Sequence, residues 1–284
     1  MPAHATVWLA TLVVALVAAL ALGGWALWRR RRVTARVLKR EPKPVYPVVL
    51  AHGLFGFDEI ALGGTRHQYF RGVPTRLEKS GHIVHAAKVA TAAGVETRAE
   101  ELARFITEVD AKRVNIVAHS MGGLDARYAI ARLGLAPRVA SLVTLGTPHR
   151  GTPIAALGSG LARRGVVKLL GSAGLDVSAI DDLTPARLAR FNDEVPAARG
   201  VHYASVVGVS RKKRRMNPLL VPTHLYLREV AGENDGMVPA ESQRWGEVLA
   251  EVEADHWAQI GWSKHFDAAE LYAWILRELR GRGF

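Results

Sequence analysis

The sequence predicts an α/β chain on a mostly parallel, doubly wound sheet. Apolar, β-branched runs of strand length recur at 45–51, 114–118, Val139–Leu145 and His202–Val209, and helical patterns alternate with them. Unbroken apolar strands belong to sheets covered on both faces, whose loops gather ligands at the carboxyl strand ends. No Gly/Ser- or Pro-rich linker divides the middle of the 284 residues, so one domain is expected over 41–284.

Residues 1–40 are read as an appendage. Residues 6–27 carry no charge, and as a helix they would span about 33 Å against a hydrocarbon core of about 30 Å. A transmembrane anchor is expected, with Trp25 and Trp28 at one interface. Arg29 to Arg32, Arg36, Lys39 and Arg40 follow before any acid, which leaves +5 of the net charge of +12 for the remaining chain. The basic balance is thus mainly juxtamembrane and argues against nucleic-acid binding. The positive-inside rule puts this cluster on the cytoplasmic side. A signal peptide cut at Ala19-Leu20-Ala21 is the competing reading; residues 1–5 lack Lys and Arg, and the apolar run continues past that site. The absence of cysteine is compatible with either side.

The elements then follow in order. Strand 45–51 ends in His52-Gly53-Leu54-Phe55-Gly56, a loop able to turn a backbone N–H toward a substrate. A helix is expected over 69–80 and a strand over 82–89. Thr97 and Glu100 form a capping box for a helix whose apolar face is Leu102, Phe105, Ile106 and Val109, ending near Ala111. After the strand beginning at Val114 comes a helix carrying Leu124, Tyr128, Ile130 and Leu133. Residues 152–198 break the alternation. They are rich in Ala, Gly and Leu, with helical patterns at 154–170 and 179–191, and read as a lid beside the site. Strand His202–Val209 leads into the basic run Arg211 to Arg215, which is followed by apolar residues and could rest its charges on anionic headgroups near the mouth of the site. Strands are expected at 225–230 and 248–254. A last helix, capped by Ser263, would hold His265 and a stripe of Phe266, Ala269, Ala273, Leu276 and Leu279.

The chemistry centres on Ala118-His119-Ser120-Met121-Gly122-Gly123. A strand breaking into a small-residue turn before a helix is the context of a nucleophile elbow, and Ala118 and Gly122 are small enough for it. A serine hydroxyl needs a histidine base, and the histidine needs a carboxylate to fix its tautomer. In the chain order serine, acid, histidine, these are Asp235, in a tight turn before Gly236, and His256, at the end of the strand 248–254. The backbone N–H groups of Leu54 and Met121 would form the oxyanion hole. Glu233 is the fallback acid and His265 the weaker base. Asp181, Asp182 and Asp193 fall in the lid, and His52 and His119 read as structural.

These stretches resemble the bacterial true lipases of the α/β-hydrolase fold, the Pseudomonas and Burkholderia type. The resemblance lies in residues 46–58, 114–128 and 142–151, in Asn234-Asp235-Gly236, and in Asp255-His256, and covers about 45–262. It places the same roles on Ser120, Asp235, His256, Leu54 and Met121. It implies fatty-acid esters as substrates, a lipid partner and no organic cofactor. Those lipases commonly bind a structural calcium through an aspartate two residues after the histidine and another about twenty before the acid. Here the places hold Ala258 and the segment around Met216, so no metal is expected. A family disulfide is excluded, and the secreted habit of the family points to the extracytoplasmic side, against the charge rule. The expectation is a serine lipase or esterase working through an acyl-enzyme. An acyltransferase would use the same residues, and a non-catalytic lipid-binding scaffold would not need all three.

Overall fold

The computed structural model describes residues 43–54, 59–62, 65–91, 93–156 and 178–284. The anchor expected at 6–27, the basic segment at 28–40, Phe55 and Gly56, and the part of the expected lid at 157–177 lie outside the described residues. Among the described residues no helix is long and apolar enough to cross a membrane.

The strands are β1 (Val48–Ala51), β2 (Glu59–Leu62), β3 (Thr65–Gln68), β4 (Val84–Ala86), β5 (Val114–His119), β6 (Val139–Leu145), β7 (His202–Val209) and β8 (Glu247–Glu253). Six of them form one parallel sheet in the order β4-β1-β5-β6-β7-β8. β2 and β3 pair antiparallel, a hairpin that the sequence reading did not contain. The helices are α1 (Val73–Lys79), α2 (Val95–Glu108), α3 (Gly122–Arg132), α4 (Pro153–Ala156), α5 (Ser178–Asp182), α6 (Pro185–Glu194), α7 (Val221–Val230), α8 (Ala240–Gln243) and α9 (Ala268–Gly281).

Successive strand residues feed opposite faces, as a pleat requires. Val48, Leu50, Val143 and Leu145 pack against α1 and α9 through Val73, Leu77, Tyr272 and Leu276. Val49, Ile116 and Leu142 pack against α2 and α3 through Leu102, Ile106, Ala126 and Ile130. Each such side chain contributes roughly 1.5–3 kcal/mol when fully buried. From β1 the chain goes out to β4 and returns through α2 to β5 on the other side. The strand order therefore reverses between β1 and β5, and in doubly wound sheets the carboxyl ends of the strands at such a reversal are where ligands bind.

Four sequence readings are corrected here. Residues 225–230 belong to helix α7, not a strand: Pro222 occupies its first turn, and Leu220, Thr223, His224 and Leu227 are buried at helical spacing while Leu225 faces out. Thr97 and Glu100 do not cap α2. The helix starts at Val95 behind Gly94, and the Val95 N–H donates to Asp182 Oδ2 at 2.8 Å, a cap supplied from far along the chain. The last helix starts at Ala268, where the Asp267 side chain accepts from the Glu270 N–H at 3.0 Å. Ser263 accepts instead from His265 N–H, so His265 and Phe266 precede the helix. The expected elements at 69–80 and 82–89 contract to α1 and β4.

Two buried arginines tie the layers together. Arg127 of α3 donates to Asn192 Oδ1 (2.9 Å) and to the Val195 carbonyl (3.0 Å), and lies 3.5 Å over the Trp245 ring. Arg98 of α2 donates to Asp125 Oδ2 (2.8 Å) and to the His52 carbonyl (2.7 Å), and so links α3 to the loop after β1. Both members of the Arg98–Asp125 pair are fully buried, and burial pushes the Asp125 carboxyl up to about 6 in spite of Arg98. Removing Arg98 would leave that carboxyl without a counter-charge. Arg98→Met is expected to lose about 3–5 kcal/mol in urea unfolding, and Arg98→Met with Asp125→Leu to recover most of it.

Candidate active site

The turn after β5 is set by steric exclusion. Ser120 has φ 55°, the one positive φ among the described non-glycine residues. Its N–H donates to the Leu145 carbonyl (2.9 Å), and its own carbonyl accepts from Thr147 Oγ1 (2.7 Å). Close packing removes any choice of residue around it. A Cβ on Gly122 would lie 2.6 Å from the carbonyl oxygens of Ala51 and His52, and one on Gly123 would overlap the Thr147 side chain. Ala118 is wholly buried and still fits two residues before the serine.

The structure brings Ser120, His256 and Asp235 together. His256 Nε2 is 3.0 Å from Ser120 Oγ, and His256 Nδ1 is 2.8 Å from Asp235 Oδ2. A carboxylate only accepts, so Nδ1 carries the hydrogen and the Nε2 lone pair faces the serine hydroxyl. Asp235 is fully buried, and its Oδ1 accepts from the N–H groups of Met237 (2.9 Å) and Val238 (2.8 Å). Asn234, also buried, braces this turn by accepting from Gly236 N–H at 2.9 Å. Gly146, at the end of β6, makes room: a Cβ there would lie 3.1 Å from both Asp235 Oδ2 and His256 Nδ1.

The loop after β1 overhangs the serine. A Cβ on Gly53 would lie 2.6 Å from Ser120 Cβ. Leu54 follows it, and Met121 sits at the start of α3. Neither residue's N–H donates to an acceptor among the described residues.

Three further groups brace the site, and two of them, Gln259 and Tyr69, had no local signal in the sequence. Gln259 Nε2 donates to Asp235 Oδ2 at 3.1 Å, a second bond to the oxygen that holds His256. Tyr69 Oη accepts from Gly53 N–H (3.1 Å) and lies 2.7 Å from His119 Nδ1. His119 Nε2 is 3.0 Å from the His256 carbonyl. Since that carbonyl only accepts, His119 is the Nε2–H tautomer and Tyr69 donates to Nδ1. A continuous buried relay thus joins the loop after β1 to the loop of His256. Asp255 is the third: its carboxylate accepts from Trp257, Ala258 and Asn217 N–H at 3.0, 2.7 and 2.8 Å, and burial raises its carboxyl above the usual range.

The alternatives lie elsewhere. Glu233 is exposed and paired with Arg211 at 2.7 Å, His265 is exposed, and Asp182 caps α2. Asp181 and Asp193 are exposed. His52 Nδ1 donates to the Gly53 carbonyl at 2.9 Å. Among the described residues no group of three His, Asp or Glu is arranged to hold a metal ion.

A family model described as "Putative serine esterase (DUF676)" matches residues 41–182. The triacylglycerol lipase of Pseudomonas fragi is 30% identical over 292 residues, covering 84% of this chain and 97% of that protein. The chain belongs to this serine esterase family. A triacylglycerol lipase of Vibrio cholerae is 29% identical over 269 residues, 81% of the esterase described here and 84% of its relative. Among solved structures, a metagenomic carboxyl esterase superposes with a TM-score of 0.72 at 19% identity over 96% of this chain and 91% of that one. The mature Bacillus licheniformis lipase gives 0.67 at 21% identity over 86% and 96%. The two share the α/β-hydrolase fold with this esterase.

The relay carries a pH signature. Burial first, and the neighbouring His256 second, hold His119 well below the usual histidine range. The unfolded chain binds a proton there below about pH 6.5 that the folded esterase does not, so this residue costs stability as pH falls. His119→Gln removes the proton uptake. The stability gap between wild type and variant is expected to shrink by about 1.4 kcal/mol per pH unit below 6.5, and to be constant above it, in urea unfolding across pH 5–8.

Proposed function

We propose that this esterase cleaves carboxylic esters with an apolar acyl chain through an acyl-enzyme on Ser120. The observation that carries the reading is the continuous contact from Ser120 Oγ through the His256 ring to Asp235. Ser120 Oγ attacks the ester carbonyl carbon while its proton passes to His256 Nε2. The oxyanion is held by the N–H groups of Leu54 and Met121, each donor of this kind being worth about 3–4 kcal/mol. Collapse breaks the ester C–O bond, and the departing alcohol takes the proton from His256. Water then attacks the acyl-enzyme, with His256 again as base, and releases the acid and the serine. Asp235 keeps the Nδ1–H tautomer and balances the imidazolium.

An apolar acyl chain is supported by what surrounds the proposed oxyanion donors. Met121 and Leu124 pack with Ala179 and Leu188 of α5 and α6, and Leu54, Leu183 and Phe191 border the same cluster. We read the insertion 152–198 as a lid over this apolar wall, and 41–284 as the catalytic unit it belongs to. Both named relatives are triacylglycerol lipases, which supports a fatty-acyl substrate here. Residues 6–27 serve as a membrane anchor in this reading, with Arg29 to Arg32 on the cytoplasmic side; the support is their length, lack of charge and flanking cations.

Turnover of p-nitrophenyl esters from acetate to palmitate by the full chain tests the proposal. Hydrolysis rising toward the long chains, and reduced roughly 10⁶-fold in kcat by Ser120→Ala or His256→Ala, is the expected result. Undiminished turnover in Ser120→Ala, or transfer to added alcohol with no free acid formed, would overturn it.

A further inference from the structure

The basic run 211–215 takes no part in this chemistry, yet it sits beside it. Arg211 is used internally: its guanidinium bonds Glu233 at 2.7 and 3.0 Å and Glu251 at 2.5 Å. The N–H groups of Arg211 and Lys212 both donate to Glu253 Oε1, at 2.9 and 3.1 Å. Those bonds peg the start of the run to the end of β8. Its far side is pegged to the site. A Cβ on Gly236 would lie 3.0 Å from Leu220 Cβ and 3.3 Å from Met216 Cε, and the Asn217 N–H donates to Asp255 Oδ2 at 2.8 Å. Gly236 follows Asp235, and Asp255 precedes His256. The segment therefore rests on both loops of the site.

Between the pegs, Lys212, Lys213, Arg214 and Arg215 are exposed, and none forms an ion pair among the described residues. Four adjacent like charges repel one another, and the carboxylate held against them, Glu253, bonds the backbone of the run rather than its cations. Beyond them Pro218, Leu219, Pro222 and Leu225 face solvent, with Leu219 and Leu225 38% and 44% exposed. A soluble polyanion such as a sulfated polysaccharide would pair the cations and leave those leucines in water. An anionic bilayer takes both: phosphates for the cations, and the acyl boundary for the leucines.

We infer that residues 212–225 form a docking surface for a bilayer containing anionic lipid, holding the Ser120 site at the headgroup level. The purpose of docking rests on the proposed hydrolase function; the contact itself does not. Each cation near an anionic surface is worth roughly fivefold in binding, so neutralising four lowers the local docking constant roughly several-hundred-fold.

The chain has no cysteine, so Leu219→Cys, or in parallel Leu225→Cys, accepts a single environment-sensitive fluorophore. The labelled full chain is placed in vesicles of phosphatidylcholine alone or mixed with phosphatidylglycerol, and turnover of p-nitrophenyl acetate is followed in every sample. The expected result is a blue shift only with phosphatidylglycerol. It should disappear at about 1 M salt, where the screening length is about 3 Å, and in a chain with Lys212, Lys213, Arg214 and Arg215 all changed to Gln. Acetate turnover should be the same in all of these. An unshifted label on anionic vesicles, an equal shift on neutral ones, or a shift produced by heparin without vesicles overturns the docking surface. Loss of acetate turnover with the label shift intact would count against the hydrolase reading alone.

Discussion

Ser120 can hold its left-handed backbone only because two strands end close together. An L-residue in this region carries a penalty of about 1–2 kcal/mol, offset here by the bond from Ser120 N–H to Leu145 and by the Thr147 hydroxyl on its carbonyl. On the other side of β5, the proximity of β1 excludes a Cβ at Gly53 and at Gly122. It follows from the reversal of strand order between β1 and β5, which leaves their carboxyl ends side by side with no connection crossing over. The position of the serine is thus a property of the sheet before it is a property of the loop.

The remaining groups are registered to that point by buried hydrogen bonds. Gly53, Tyr69, His119 and the His256 carbonyl form one series, so the loop after β1 and the loop after β8 cannot shift independently. Arg98 adds a second brace by joining the His52 carbonyl to Asp125 on α3. Asp235 has four donors around its two oxygens, from Met237, Val238, His256 and Gln259. A carboxylate held on all sides presents one fixed oxygen to the imidazole, which is the preorganisation that ester hydrolysis of the proposed kind requires.

The parts legible in the sequence were those whose cause is local. The apolar runs of β6 and β7 carry their own boundaries, and the small residues around Ser120 record a steric demand within five positions. The order serine, acid, histidine then led to Asp235 and His256, each in a turn at a strand or loop end. What was misread had its cause elsewhere in the chain. The first N–H of α2 is capped by Asp182, 87 residues away, so Thr97 and Glu100 gave a false start. In α7 the apolar pattern over 225–230 admits two periods, and only the packing of Leu220, His224 and Leu227 selects the helical one. Tyr69, Arg98 and Gln259 are scattered through ordinary surroundings, and nothing short of the fold assembles them around the site.

The central claim is that Ser120 is a nucleophile activated by His256. Treatment of the full chain with diethyl p-nitrophenyl phosphate, followed by peptide mass spectrometry, tests it most directly. The account predicts one diethylphosphoryl group per chain, on Ser120, with labelling abolished by Ser120→Ala and strongly slowed by His256→Ala. Modification at another residue, or an unchanged labelling rate in His256→Ala, would contradict it.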